Sequence, residues 1–209
     1  MSDPTLFVDL FAEDYAHEVL LVPLLERVAR DEGVHAVVRV RSARGGHGRA
    51  VEEFRLYQKL AEKNAMPPPA PDLVVVAIDG NCTTFARKRQ EIREAATELF
   101  LEKLVSACPD PHVERWYLGD PDSFHQIVGY RPAVGRKKCT RGHYKDLLAR
   151  AVQQAGHPST LGGIEFAREI ANSMDLYRAG RNDSSLKAFL DDLRYALRSR
   201  RQCRRGVDP

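Results

Sequence analysis

Leu73-Val74-Val75-Val76-Ala77-Ile78, running into Asp79-Gly80-Asn81, is the stretch from which the fold of this chain is read. Its uninterrupted apolar character, rich in β-branched side chains, is that of a strand buried on both faces, and such strands belong to parallel sheets covered by helices. The Asp-Gly pair then marks an abrupt stop. Upstream, Leu6-Phe7-Val8 opens a second apolar run, which leads into Ala12-Glu13-Asp14-Tyr15-Ala16-His17-Glu18. Both runs deliver acids at their C-terminal ends. In an open parallel sheet those ends share one rim, where ligands bind.

Working outward, short apolar runs alternate with helical patterns through the first half, as in βαβ units. The first strand is expected over about 6–12 and a helix over about 16–31. In that helix Leu21, Leu24, Leu25 and Val28 share one face, Pro23 predicts a kink or late start, and Gly33 closes the end. Alternation of His35, Val37 and Arg39 with Ala36, Val38 and Val40 over 34–41 predicts an edge strand with one wet face. A helix through about residue 64 follows the glycine-rich loop Arg44-Gly45-Gly46-His47-Gly48-Arg49, and Met66-Pro67-Pro68-Pro69-Ala70-Pro71 is a stiff connector. The third strand is expected over 72–79, a long amphipathic helix over about 84–107, and a short strand over 112–115. Beyond it the pattern is helical, near 120–128, 143–155, 161–174 and 184–200. These spans predict an α/β domain over 1–130 and a helical extension over 131–209 that packs on it and ends in a basic tail.

A chain of 209 residues with 43% hydrophobic and 29% charged content fits one soluble domain. No apolar run is long enough to span a bilayer, and Met1-Ser2-Asp3-Pro4 does not begin a secretory signal, so a cytoplasmic location is expected. The net charge of +3 gives little general attraction to nucleic acid, but Arg198-Ser199-Arg200-Arg201-Gln202-Cys203-Arg204-Arg205 is a compact basic patch able to neutralise phosphates. The plainer account of it is a solvated chain end. Cysteines at 82, 108, 139 and 203 form no CxxC pair and are expected to be reduced. Cys108-x3-His112 with Cys139-x3-His143 is a loose match to a zinc site.

The acids carry the chemistry. Glu13 follows a strand directly, and a carboxylate at that rim is costly without a partner. Asp79 ends the most apolar strand, and Asn81 would point the same way in an extended segment. Carboxylates gathered at one rim repel one another unless a cation sits among them, and oxygen donors suit Mg2+ or Mn2+. Each acid also has a plainer account. Asp14 and Glu18 fit the N-terminus of a helix, Asp79 an Asp-Gly turn, and Glu114 a surface pair with Arg115. His17 lies one turn from Glu13 and titrates near neutrality, so it could assist proton transfer or merely be an exposed histidine. The loop Gly45-Gly46-His47-Gly48 could cradle a phosphate, but no Lys-Ser/Thr follows it as in a Walker loop.

Several of these residues resemble a known family. Glu13-x4-Glu18, Asp79-x-Asn81 and Pro111-His112-Val113-Glu114-Arg115-Trp116 are similar to motifs of a small Toprim-like family related to the nuclease half of OLD (overcoming lysogenization defect) proteins. The likeness extends along the chain through Lys138-Cys139-x-Arg141-x2-Tyr144-Lys145, Leu161-Gly162-Gly163-Ile164-Glu165 and Ser185-Leu186-x2-Phe189-Leu190-x-Asp192-Leu193-Arg194. It implies a Toprim-like, mostly parallel sheet flanked by helices. It also implies Mg2+- or Mn2+-dependent cleavage of DNA or RNA, with Glu13, Asp79 and Lys145 catalytic and Glu13, Asp79, Asn81 and Glu114 as metal ligands. Arg87, Lys88, Lys145 and Arg201 are the expected phosphate contacts, with Asp14, His17 and Glu18 secondary. The implied partners are a nucleic acid and an ATPase of a phage-defence locus, with a homodimer as a further option and no membrane. Two departures weigh against a two-metal site: Asp14 stands where the wider pattern has glycine, and Asn81 where it has aspartate. A non-catalytic binding or sensor subunit of an ATPase complex is the alternative reading.

Overall fold

The computed structural model describes residues 3–41, 46–65, 68–137, 139–140 and 142–205, and of His47 and Arg205 the backbone alone. Arg44 and Gly45 of the glycine-rich loop, and Lys138 and Arg141 of the later motif, lie outside the described residues.

Four parallel strands form one sheet in the order β2-β1-β3-β4. They are β1 (Thr5–Ala12), β2 (His35–Val40), β3 (Leu73–Ala77) and β4 (Leu104–Ala107). All five residues of β3 are buried, as its continuous apolar run requires in the middle of a covered sheet. β2 is an edge strand, which accounts for its alternation. The pleat sends alternate side chains to two cores. Leu6, Val8, Leu10 and Ala12 of β1, with Leu73, Val75 and Ala77 of β3, meet α1 (Tyr15–Asp31) on one face. Phe11, Val74, Val76 and Ile78 meet α2 (His47–Glu62), α3 (Phe85–Ala95) and α4 (Glu98–Leu101) on the other.

The α1 face also carries the later helices. These are α5 (Glu114–Tyr117), α6 (Pro121–Val128), α7 (His143–Gln154), α8 (Ala167–Ser173), α9 (Leu176–Asn182) and α10 (Ser184–Arg205). Trp116, Phe124, Leu148, Ile170 and Phe189 all enter the same core as β1 and β3. Helix α1 starts at Tyr15 and runs through Pro23, and Gly33 closes its end at φ +68°. No helix among the described residues is long and apolar enough to cross a membrane.

Three local expectations fail for identifiable reasons. The helix expected over 84–107 ends at Ala95, and the chain turns through α4 into β4. Buried Gln58 of α2 holds this break open: its amide donates to Ala95 O at 2.9 Å, and its carbonyl accepts from Thr97 N–H at 2.6 Å. Those groups would otherwise need the next helical turn. The strand expected over 112–115 is instead the entry to α5, because Val113 N–H is used by the Asp79 carboxylate rather than by a sheet neighbour. Finally, α9 was not expected; Asp175 caps it by accepting from Arg178 N–H at 2.9 Å.

The basic tail is helical and engaged. Arg198 donates to both oxygens of Glu32 at 2.7 and 2.9 Å, and Arg201 donates to Glu32 O at 2.9 Å. Arg200 donates to Glu102 O at 2.9 Å, and Arg204 to Asp72 at 2.8 Å. Glu32, Asp72 and Glu102 each precede a strand, so α10 ties down the N-terminal ends of β2, β3 and β4.

Candidate metal centre

Parallel packing brings the ends of β1 and β3 side by side, with Ala12 opposite Ala77. Glu13 N–H donates to Ala77 O at 2.9 Å, which carries the chain one step past β1 in strand register. Its side chain then crosses to the neighbouring strand end, where Glu13 Oε2 accepts from Asp79 N–H at 2.8 Å. Two residues distant in sequence are thereby locked together at the C-terminal rim.

Asp79 is buried and surrounded by donors. Its Oδ1 accepts from Val113 N–H at 2.9 Å, and its Oδ2 lies 2.9 Å from His112 Nδ1. Gly80 makes the tight exit from β3: it donates to Pro109 O at 2.7 Å, and a Cβ there would stand 2.9 Å from that same oxygen. The loop before α5 is therefore held against the end of β3, and Asp79 is its anchor.

From α1 comes His17, fully buried in the first turn. Asp14 caps that helix by accepting from His17 N–H at 3.1 Å, and Asp14 Oδ1 also lies 2.8 Å from His17 Nδ1. The other ring nitrogen, Nε2, lies 3.1 Å from Asp79 Oδ1. That distance suits an ion pair, but the alignment a hydrogen bond needs is missing, and Nε2 is a buried polar atom with no hydrogen-bond partner. Glu13, His17 and Asp79 each offer one ligand atom, all within 4.8 Å of one another, and they are the one such group of His, Cys, Asp and Glu among the described residues.

The charges interlock. Burial alone would lower the pKa of His17, but the carboxylates of Asp79 and Asp14 raise it to about 10. Burial would raise Asp79, yet the charge of His17 and the hydrogen bond from His112 outweigh it, so its pKa is lowered. Asp14 is likewise lowered against its burial, by His17. His112 is raised by its hydrogen bond to Asp79. Glu114 is raised, first by burial and then by the negative charges of Asp79 and Asp14.

A stability profile follows for the protein kept free of metal. The folded pKa of His17 lies above the unfolded value of about 6.5, so its contribution is complete below that pH and is lost as pH rises to about 10. Asp79 is depressed, so its contribution is present above about 3.9 and is lost as pH falls through the folded value. Melting temperatures measured in chelator should therefore peak between those limits and decline steadily from neutral to alkaline pH. A flat profile from pH 6.5 to 10 would show that His17 is not held as an imidazolium.

Not every expected site residue joins this group. Asn81 sits exposed in a turn closed by Thr83 N–H on Gly80 O at 2.9 Å, with φ +51° and its own N–H on Pro111 O at 2.8 Å. The segment is not extended, so strand alternation does not place Asn81 beside Asp79. Glu114 lies next to the group rather than in it. With Asp14, Tyr15 and Lys145 it lines a cavity of about 220 Å3. Glu18 lines the adjoining cavity of about 340 Å3, which shares Tyr15, Leu161 and Ile164 with the first.

Arg87 and Lys88 begin α3, which opens beyond the Asp79 turn on the same rim; Lys88 pairs with Glu91 at 2.9 Å. Arg201 is at the opposite end of the sheet, where its guanidinium packs over Gly33.

The cysteines depart from expectation. Cys82 and Cys139 form a disulfide with Cα atoms 4.8 Å apart, which joins the turn after β3 to the connector before α7. Cys108 is buried in the core on the α2 and α3 face, where burial pushes its thiol up to about 12. No Cys2His2 site is assembled among the described residues.

His112, which holds Asp79, carries no expectation of that role from the sequence, and His17 only that of a secondary proton carrier. Its own motif, Asp14-x2-His17, held the signal, since an N-cap acid three residues before a histidine can fix the ring. No family model matches the chain, and no curated protein or solved structure is found similar to it. The likeness to OLD-type Toprim nucleases rests on the motifs alone.

Proposed function

We propose that this protein is a divalent-metal-dependent nuclease that cleaves phosphodiester bonds of DNA or RNA at the rim formed by Glu13 and Asp79. The observation that carries the reading is the 2.8 Å contact between Asp79 N–H and Glu13 Oε2, which brings two acids together beside the buried imidazole of His17, whose Nε2 is ion-paired with Asp79 but makes no hydrogen bond. Those donors fit a divalent cation, with Glu13 and Asp79 supplying the oxygens. A metal bound there would polarise a phosphodiester oxygen and activate a water.

The chain's own groups supply the rest. Lys145 lines the same cavity as Asp14 and Glu114 and would hold a phosphate oxygen, with Arg87 and Lys88 of the first turn of α3 as further phosphate contacts. Glu114, its carboxyl raised by burial, faces that cavity and is placed to give a proton to the leaving oxygen. His112 and Val113 N–H hold Asp79 in one orientation. The motif likeness further suggests control by an ATPase partner in a phage-defence setting.

The test is cleavage of plasmid DNA and of RNA with Mg2+ or Mn2+ by the full chain and by Glu13→Gln. Glutamine keeps an acceptor for Asp79 N–H but lacks the charge. Loss of several kcal/mol of charge stabilisation corresponds to a fall in rate of about 1,000-fold or more. Undiminished cutting by Glu13→Gln and Asp79→Asn would remove this site from consideration.

One observation favours the alternative, a non-catalytic binding or sensor subunit. Asp79 already has His17 and His112 as partners, so its charge is balanced within the chain. Absence of cleavage on both nucleic acids with either ion would leave that reading.

A further inference from the structure

We propose that His17 Nε2 is a third metal ligand and that it makes this centre selective for a first-row transition-metal ion of the Mn2+ or Zn2+ kind over Mg2+. The inference rests on the metal-centre part of the reading above and is independent of nuclease activity.

Three features of the chain support it. The imidazole is fully buried, and its Nε2 has no hydrogen-bond partner although it faces the carboxylates of Asp79 and Glu13. Nε2 stands 3.1 Å from Asp79 Oδ1 in an ion pair that lacks hydrogen-bond alignment, a separation that two ligands of one metal ion also show. Second, the opposite ring nitrogen is taken: Nδ1 lies 2.8 Å from Asp14 Oδ1. Metal-binding histidines usually have their other nitrogen on a carboxylate in this manner, which fixes both the ring plane and the tautomer. Third, the donor atoms are close enough. Ligands about 2.0–2.2 Å from a shared ion stand roughly 3–4 Å apart, so a set within 4.8 Å closes by small side-chain adjustments.

The donor set decides the ion. Mg2+ prefers oxygen ligands in a near-ideal octahedron and keeps several waters, whereas imidazole nitrogen suits Zn2+ and its transition-metal neighbours. Two carboxylates and one imidazole leave an open position, as catalytic zinc sites do.

The experiment titrates the chelator-treated full-length protein with Zn2+, Mn2+ and Mg2+ by calorimetry, and examines the Mn2+-loaded protein by pulsed EPR for nitrogen coupling. The expected result is one Zn2+ or Mn2+ per chain, bound at least about tenfold more tightly than Mg2+, with an imidazole 14N signal. His17→Gln should abolish the signal and the preference, and Asp14→Asn should weaken Zn2+ and Mn2+ by about 10- to 100-fold while His17 remains. Asp14 is half-exposed, so that variant keeps the test decisive if His17→Gln does not fold.

A Mn2+ complex without nitrogen coupling, a signal that survives His17→Gln, or Mg2+ bound as tightly as Mn2+ would each overturn the inference and leave the metal centre standing. If no ion binds at all, both this inference and the metal-dependent reading fall.

Discussion

Asp79→Ala is expected to lower the unfolding free energy by about 3–5 kcal/mol, because it removes the common partner from a buried group of donors. His17 would keep Asp14 but lose its second carboxylate, and His112 Nδ1 and Val113 N–H would lose the acceptor they share. The loop before α5 would also lose its anchor to β3. For a chain of this size, each kcal/mol corresponds to roughly 2–4 °C in melting temperature. Asp79→Asn keeps one acceptor oxygen and the shape of the side chain, so its loss should be markedly smaller. Urea unfolding of the two variants in chelator measures the difference. Near-equal stability of wild type and Asp79→Ala would mean that the histidines are satisfied without Asp79.

The second large effect lies elsewhere in the sheet. Asp9 sits fully buried in β1, where Tyr57 donates to one of its oxygens and Arg39 Nε lies 2.5 Å from the other. Arg41 Nε stands 3.4 Å from that second oxygen. Asp9→Ala would leave two guanidinium groups and a phenol without their carboxylate, at a cost of about 3–5 kcal/mol. Replacing the whole group with apolar residues of similar volume, as in Asp9→Leu with Arg39→Met, Arg41→Met and Tyr57→Phe, should recover much of that loss. Zn2+ affinity should stay within about twofold of wild type in Asp9→Ala, since the group faces α2 rather than the rim and coupling between separated sites is small. A larger change would show that β1 transmits strain from one face to the other.

How far the chain could be read follows from where its signals were local. The run over 73–78 predicted a buried strand because burial on both faces permits only apolar side chains, and the alternation over 34–41 predicted an edge for the converse reason. Gly33 announced the end of α1 because a left-handed residue there favours glycine. The break in the helix expected over 84–107 was not legible, since the group that enforces it, the Gln58 amide, belongs to another helix. The arginines over 198–204 read as a solvated patch because Glu32 and Asp72 lie more than a hundred residues away in sequence.

The site divides in the same way. Glu13 and Asp79 were found from strand ends, and the structure brings them together. Asn81 was placed by assuming an extended backbone, and it stands exposed in a turn at φ +51°. His17 looked like a surface histidine because its burial depends on packing from α5: Tyr117 donates to Ala16 O at 2.7 Å and covers the first turn of α1. Asp9 gave no sign of itself, since one acid within an apolar run has no periodic signature.

The lone tryptophan offers a way to watch all of this optically. Trp116 stacks on Phe189 with ring centres 5.3 Å apart, donates to Ser185 Oγ at 2.9 Å, and follows Val113 by less than one helical turn. Its emission should be blue-shifted in the native protein and should report, without any label, when the loop gripping Asp79 lets go.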